Sequence, residues 1–150
     1  LQKSVVGNIM LISSENVFGN NFGNVFATPF RGVQMAIHIF RRMEKDEEKF
    51  LMEVKGCTLE IDGIGYFPDA PTERGVKHLE ELILASQQGY NCKIAFVIQM
   101  EGITEVRGNS VTHPEFAKTL EKAKNAGVEI LFLCCRVMPD EVFVEKAIIG

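Results

Sequence analysis

The sequence FLMEVKGCTLEIDGIGYF, residues 50–67, predicts two strands joined by a tight turn. Its first part, Phe50–Ile61, is rich in Leu, Val and Ile, as expected for a strand. Asp62-Gly63 is a dipeptide that favours the left-handed backbone of a two-residue hairpin turn, and residues 64–67 can return as the second arm. The segment therefore predicts the first part of a sheet.

Two helices are predicted downstream of this hairpin. The first covers residues 72–88, with Asp69 or Thr72 as its N-cap and a glycine immediately after its end. The second covers residues 112–126 and begins with a Thr-x-x-Glu capping box. Each helix has an apolar stripe on one face and charged residues on the other. The apolar positions are Val76, Leu79, Leu82 and Ile83 in the first helix and Phe116, Leu120 and Ala123 in the second.

Nearly continuous apolar runs at residues 93–100 and 128–135 predict two more strands, each covered on both faces. After the second run, Pro139-Asp140-Glu141 is predicted to turn the chain into a short tail. The order strand, strand, helix, strand, helix, strand favours an α/β fold with a mixed sheet, because helices join parallel strands.

The composition excludes several classes of protein. The 150 residues are 46% hydrophobic and carry a formal net charge of −4, and no apolar run approaches the roughly 20 residues of a membrane-spanning helix. A negative chain does not coat nucleic acid by bulk electrostatics, so any nucleic-acid function must come from a local site. The four cysteines lack Cys-x-x-Cys spacing and no export signal is recognisable, which together predict a cytoplasmic protein without a zinc cluster and without a membrane partner.

Residues 1–40 differ from the rest of the chain. Only Lys3, Glu15 and Arg31 are charged in this region, and its apolar residues keep neither strand nor helix periodicity for long. We predict an irregular or weakly β segment at 1–40 and one α/β domain at 41–150.

A carboxylate and an ammonium group are predicted to lie side by side on the first strand. Side chains alternate along a strand, so Glu53 and Lys55 project from one face while Met52 and Val54 project from the other. Such a pair suits phosphodiester cleavage dependent on Mg²⁺ or Mn²⁺, in which the carboxylate binds the metal and the lysine orients the nucleophile or stabilises charge. The spacing alone equally describes a structural ion pair.

The segment FPDAPTERG, residues 67–75, with Lys77 and His78 after it, places further charged groups at a strand-to-helix junction. Helix N-termini present free backbone N–H groups, and Arg74 beside them would favour a phosphate. The alternative is a capped helix in which Arg74 and His78 pair locally with Asp69 or Glu73.

Five motifs together resemble the C-terminal domain of the sugar fermentation stimulation protein A family. They cover about residues 43–142 and read MEVKGCTL from Met52, FPDAPTERG from Phe67 followed by Lys77-His78-Leu79, FVIQM from Phe96, HPEFA from His113 and AGVE from Ala126. The resemblance implies a nuclease-like domain of the PD-(D/E)xK class that follows an N-terminal OB-type β-barrel. It also implies DNA binding, with a non-catalytic DNA-binding regulator of sugar (maltose-type) metabolism genes as the alternative to a nuclease.

The resemblance makes Glu53 the metal-binding carboxylate and Lys55 the catalytic lysine, and the chemistry of the neighbouring residues supplies the other predicted roles. The predicted cofactor is Mg²⁺ or Mn²⁺, and the predicted partner is nucleic acid, DNA in preference to RNA. Glu53, Lys55 and, in an auxiliary role, Gln99 are the predicted catalytic residues. Glu53 and Asp69 are the predicted metal ligands. Arg74, Lys77 and His78 are the predicted nucleic-acid contacts.

This chain departs from the family pattern upstream of Glu53. The barrel is not recognisable, and neither is the family's Gly-Asn-Ser-Arg-x-Asp tract, whose Asp is the second metal ligand. When the codons of residues 35–40 are read from the third base of the Met codon, they permit Gly-Asn-Ser-His-Phe, which is close to that tract. This reading leads to the hypothesis that residues 1–40 are out of frame. The missing Asp leads to the expectation that this chain binds metal more weakly than its relatives.

Overall fold

The structure of the chain is a computed structural model that describes residues 3–5, 10–12, 36–41, 50–138 and 142–150. Two helices are present in these ranges, α1 (Glu73–Gln87) and α2 (Pro114–Asn125). The strands are β1 (Lys3–Val5), β2 (Met10–Ile12), β3 (Ala36–Arg41), β4 (Phe50–Cys57), β5 (Leu59–Ile61), β6 (Ile64–Phe67), β7 (Asn91–Ile98), β8 (Val106–Gly108), β9 (Glu129–Val137) and β10 (Val142–Ile149).

The main sheet has five strands in the order β10-β9-β7-β4-β3. The central strands β4, β7 and β9 are parallel, and the flanking strands β3 and β10 are antiparallel to their neighbours. α1 lies between β6 and β7 in the chain, and α2 lies between β8 and β9. The predicted α/β class with a mixed sheet is confirmed.

The prediction of one continuous strand over residues 50–61 is wrong. The strand breaks at the exposed Thr58, and the hairpin β5–β6 belongs to a separate three-stranded sheet, in which β6 pairs in parallel with β8. Both edges of β4 are paired, with β3 and with β7, so the hairpin has no free edge of β4 to join and pairs with β8 instead. The turn itself is as predicted, with positive φ angles of 51° at Asp62 and 81° at Gly63.

The two helices begin differently from one another. The side chain of Thr72 accepts a hydrogen bond from the Gly75 N–H at 3.0 Å, which confirms it as the N-cap of α1. The predicted Thr112 capping box is wrong, because His113 is the N-cap residue of α2 and makes no side-chain cap. The Thr112 hydroxyl instead accepts a hydrogen bond from Asn109 Nδ2 at 2.8 Å.

The two ends of the described chain also differ from expectation. Residues 142–149 were predicted as a tail, but they form β10, which pairs with β9 along the edge of the main sheet. The predicted turn at residues 139–141 lies outside the described residues. Within the region predicted as irregular, β1, β2 and β3 are strands, and the other residues between 1 and 40 lie outside the described ranges.

The core lies between the main sheet and the two helices. Phe96 and Phe116 are fully buried, and the ring of Phe67 packs against both of them, with centroid distances of 5.7 and 5.0 Å. The predicted apolar stripes are confirmed, since Leu79 and Ala123 have no exposed surface. Neither helix in the described part of the chain has the length and apolar composition needed to cross a membrane.

Candidate active site

Glu53 and Lys55 lie on the face of β4 that α1 covers. In the parallel register they are adjacent to Ile94 and Phe96 of β7, whose side chains belong to the core beneath the helices. Both charged residues are buried, with 4% and 7% of their surfaces exposed. Glu53 and Lys55 are therefore not an ion pair on an exposed strand face. The cost of burying their charges has to be offset by close partners.

Three charged or polar groups meet at one carboxylate oxygen. Glu53 Oε1 is 2.7 Å from Lys55 Nζ and 2.7 Å from His78 Nδ1, and the two nitrogens are 3.3 Å apart. His78 reaches this position from the buried face of α1, where only 6% of its surface is exposed. These three residues form the Glu53–Lys55–His78 cluster.

Arg74 joins the cluster from the first turn of α1. Its Nε donates a hydrogen bond to His78 Nε2 at 3.4 Å, so one imidazole ring separates Arg74 from the Glu53 carboxylate. Lys77 is exposed on the surface of α1, where its ammonium is 4.0 Å from the Glu81 carboxylate. The structure thus brings Arg74 and His78 together with Glu53 and leaves Lys77 on the surface. The metal, catalytic and nucleic-acid roles of these residues stay predictions.

The segment that carries Asp69 is held at both ends. Asn109 donates its backbone N–H to the Phe67 carbonyl at 2.8 Å and its Nδ2 to the Pro68 carbonyl at 3.0 Å. At the other end, the Thr72 N–H donates to His113 Nδ1 at 3.1 Å. Asp69 lies between these anchors with its side chain exposed.

Sequence reasoning missed Asn109 altogether and gave His113 no more than a helix-terminus role. Asn109 is 5% exposed, and its side-chain oxygen also accepts from the Thr112 N–H at 3.1 Å. An Asn that precedes a Thr by three residues is a typical turn pattern, which was the available signal. The hydrogen bonds of Asn109 and His113 to the segment that carries Asp69 join residues 41 positions apart. No local sequence pattern predicts contacts of that separation.

Gln99 directly follows the carboxyl end of β7. Its backbone N–H donates to the Cys57 carbonyl at 3.2 Å, and its side-chain amide lies over Gly56, the residue after Lys55. A Cβ atom at position 56 would be 3.3 Å from Gln99 Nε2, so glycine leaves the room that the amide occupies. Because side chains alternate along β4, position 56 faces away from Glu53 and Lys55, so the Gln99 amide lies on the opposite face of the sheet from the Glu53–Lys55–His78 cluster and its auxiliary role stays a prediction.

The donor set fits an open divalent-cation site better than a closed one. Among the described residues there is no group of three or more His, Cys, Asp or Glu side chains that could hold a metal ion. Mg²⁺ needs fewer protein groups, because it is usually bound through one or two carboxylates, waters and substrate phosphates. The buried carboxylate of Glu53 fits one such position, and Asp69 carries an exposed carboxylate in the segment between β6 and α1.

Cys57 shares the face of Glu53 but is not suited to nucleophilic chemistry. Its thiol is buried, 3.5 Å from the Tyr66 carbonyl, and burial raises the pKa of Cys57 to about 11, with a smaller contribution from the negative charge of Asp69. A thiol with a raised pKa has less reactive thiolate at a given pH.

We therefore expect Cys57 to resist alkylation. A pKa two units above the ordinary thiol value of 9.0 lowers the thiolate fraction by about 100-fold at pH 8. Iodoacetamide labelling followed by peptide mass spectrometry should show this slow rate in the native protein and a normal rate in 6 M urea. Equal labelling of Cys57 in both conditions would contradict the burial.

A family model described as "Sugar fermentation stimulation protein RE domain" matches residues 38–141 of this chain. Two curated relatives, both described as sugar fermentation stimulation protein homologs, come from Clostridium beijerinckii and Desulfitobacterium hafniense. They are 49% and 47% identical to this chain over 100 residues, which are 67% of this chain and 44% of each relative. The chain spans about half the length of the curated relatives it matches.

A solved structure shares the fold. The structure of Pyrococcus furiosus SfsA in complex with Ca²⁺ superimposes with a TM-score of 0.66 at 23% sequence identity. The match covers 76% of this chain and 54% of the other. At this identity the likeness concerns the arrangement of the strands and helices.

Proposed function

This chain belongs to the sugar fermentation stimulation protein family, and we propose on that basis that it binds nucleic acid and cleaves phosphodiester bonds with a divalent cation. The observation that carries the proposal is the buried Glu53–Lys55–His78 cluster, with the guanidinium group of Arg74 one imidazole away. The nuclease-like PD-(D/E)xK assignment of the fold is part of this proposal. The solved family member in complex with Ca²⁺ supports a cation as cofactor, and we propose Mg²⁺ or Mn²⁺ for this chain.

Each residue has a task in the proposed reaction. Glu53, with Asp69, would hold the cation, which supplies Lewis-acid polarisation of a phosphate oxygen when bound. Arg74 would bind a phosphate of the nucleic acid, because a guanidinium group matches the geometry of phosphate oxygens. Lys55 would orient the attacking water or stabilise the charge that develops on the phosphate.

The proposed compartment is the cytoplasm. All four cysteines, Cys57, Cys92, Cys134 and Cys135, are free thiols. Unpaired cysteines are typical of proteins in reducing compartments.

One assay distinguishes the function classes. Labelled DNA and RNA are incubated with the purified chain in Mn²⁺, in Mg²⁺ and in EDTA, and cleavage and binding are measured at several salt concentrations. We expect cleavage with either metal and none in EDTA. Binding without cleavage that survives chelation would indicate the non-catalytic regulator of sugar metabolism genes. Weak binding that does not depend on salt would contradict both, since specific phosphate contacts release counterions.

A second carboxylate next to Glu53 is expected to strengthen cation binding. Strand β3 precedes β4 and pairs with it so that position 38, a His, is directly opposite Glu53. Directly opposite positions of an antiparallel pair are the closest cross-strand neighbours in a sheet, so position 38 is the one on β3 nearest to Glu53. We expect His38→Asp to lower the Mn²⁺ dissociation constant at least tenfold in calorimetry. Groups that only hydrogen-bond to a metal ligand already change metal affinity by about 10- to 100-fold.

The matched control for this prediction is Ile39→Asp, one position along the same strand and therefore on the opposite face of the sheet. It adds the same charge without placing it beside Glu53. Equal Mn²⁺ affinity in both variants would show that Glu53 is not a metal ligand or that the two positions are not neighbours.

A further inference from the structure

Both ring nitrogens of His78 are engaged. Nδ1 lies 2.7 Å from Glu53 Oε1, and Nε2 lies 3.4 Å from Arg74 Nε. With 6% of the residue exposed, the ring is enclosed between β4 and α1. A direct contact between this ring and a nucleic acid would require the ring to leave both partners.

The two partners fix where the ring carries its proton. An ionised carboxylate only accepts hydrogen bonds, so Nδ1 must donate to Glu53. A guanidinium group only donates, so Nε2 must accept from Arg74. A proton on Nδ1 satisfies both contacts, and the 3.3 Å approach of Lys55 Nζ to the same Nδ1 reflects their shared acceptor, Glu53 Oε1. Lys55 Nζ, which is also only a donor, bonds to Glu53 at 2.7 Å.

We propose that His78 is a positioning residue, which orients the Glu53 carboxylate for the cation and is itself held in its tautomer by Arg74. This inference rests on the proposed function and deepens it: the phosphodiester contact at Arg74 and the metal ligand Glu53 are joined through one imidazole ring. The ring acts as the supporting partner that metal-binding side chains generally need. Lys77, on the exposed side of α1, has no part in this link.

A pair of substitutions separates the two contacts of the ring. The side-chain amide of Asn can place an N–H where His Nδ1 lies, and the longer Gln places its amide where Nε2 lies. His78→Asn therefore keeps the donor to Glu53 and loses the contact with Arg74, and His78→Gln does the reverse. Mn²⁺ affinity is measured by calorimetry without nucleic acid, and thermal unfolding shows that each variant is folded.

We expect His78→Gln to weaken Mn²⁺ binding about 10- to 100-fold and His78→Asn to bind closer to the wild-type affinity. A residue that served packing alone would not give this difference at equal thermal stability. If wild-type protein binds Mn²⁺ and the two variants bind it equally well, the inference is overturned and the proposed function stands. If wild-type protein does not bind Mn²⁺, the proposed function and this inference both fail.

A spectroscopic measurement tests the link to Arg74 without metal. Nitrogen-15 NMR of the wild-type ring should show the proton on Nδ1, and a proton on Nε2 would overturn the inference whatever the metal affinity. Arg74→Met, at an exposed position, should move the ring away from the pure Nδ1–H form and weaken Mn²⁺ binding, although Arg74 need not touch the cation. Lys118→Met removes an exposed charge from α2 and should change neither quantity, so equal effects of the two substitutions would also overturn it.

Discussion

Substitution of Glu53 by glutamine is expected to abolish metal-dependent cleavage and to destabilise the fold as well. The amide has nearly the same volume, but it lacks the negative charge that the cation and Lys55 both require. Loss of a metal-binding carboxylate removes several kcal/mol of transition-state stabilisation, which corresponds to a rate decrease of at least about 100-fold. Cleavage of labelled DNA in Mn²⁺, measured well below the unfolding temperature, should fall to the rate of the EDTA control.

The structural cost comes from Lys55, which keeps its charge in a buried position. Glu53 and Lys55 side chains are 5% and 9% exposed, so water screens the pair little. Removing one partner of a buried ion pair costs about 3 kcal/mol. Urea denaturation of Glu53→Gln should show a loss of this size, and a free energy of unfolding equal to that of the wild type would contradict the buried pair.

A double variant separates the two effects. Glu53→Gln combined with Lys55→Met removes both charges, so the uncompensated ammonium is gone and most of the lost stability should return. Cleavage should stay absent, because both proposed catalytic groups, the carboxylate and the ammonium, are missing. Glu105→Gln, which removes an exposed carboxylate beside Arg107, is the control and should cost less than about 1 kcal/mol. Recovery of cleavage together with stability in the double variant would mean that Glu53 acts only through the fold.

Substitution of Gly108 by valine is expected to have the largest effect on stability. A Cβ atom at this position of β8 would lie 2.7 Å from the Cα of Ala117 and 2.9 Å from its Cβ, inside the van der Waals contact distance. These atoms belong to the backbone of α2 and to the Cβ attached to it. They cannot move aside in the way that the end of a flexible side chain can. The helix and β8 would have to separate, and overpacking of this kind costs about 3 kcal/mol or more.

Gly102→Ala provides the matched comparison for Gly108→Val. Gly102 has a φ of 77° and no atom within 4 Å of an added Cβ, so its substitution measures backbone strain without a collision. Strain alone costs about 1 kcal/mol. Thermal unfolding should therefore place Gly108→Val well below Gly102→Ala, and equal melting temperatures would show that β8 and α2 are not in close contact.

Local sequence patterns predicted most of the secondary structure because each rests on neighbouring residues. Asp62-Gly63 specifies its turn, Thr72 caps α1, and the alternation along β4 puts Glu53 and Lys55 on one face. The patterns failed where distant partners decide the outcome. The hairpin β5–β6 joins a separate sheet while β3 and β7 occupy both edges of β4, and β10 pairs with the edge that β9 offers.

In the candidate site, too, local patterns predicted some features and distant contacts determined the others. Motif and spacing indicated Glu53, Lys55 and Arg74, and the structure brings these three together. The burial of His78 against Glu53 could not be read from the sequence, since contact between α1 and β4 depends on how the helix is rotated on the sheet. Asn109 was missed for a similar reason, because a hydrogen bond to a carbonyl 41 residues away has no local signature.

The anchors at Asn109 and His113 also bear on the order in which the chain folds. Each connects residues 41 positions apart, and α1 and β7 lie between them in the sequence. Contacts of high sequence separation pay the entropy of closing the intervening loop, so they form late in folding. We therefore expect the segment around Asp69 to reach its final position only after α1 and β7 have docked, so a partly folded chain on the ribosome should lack the complete proposed site.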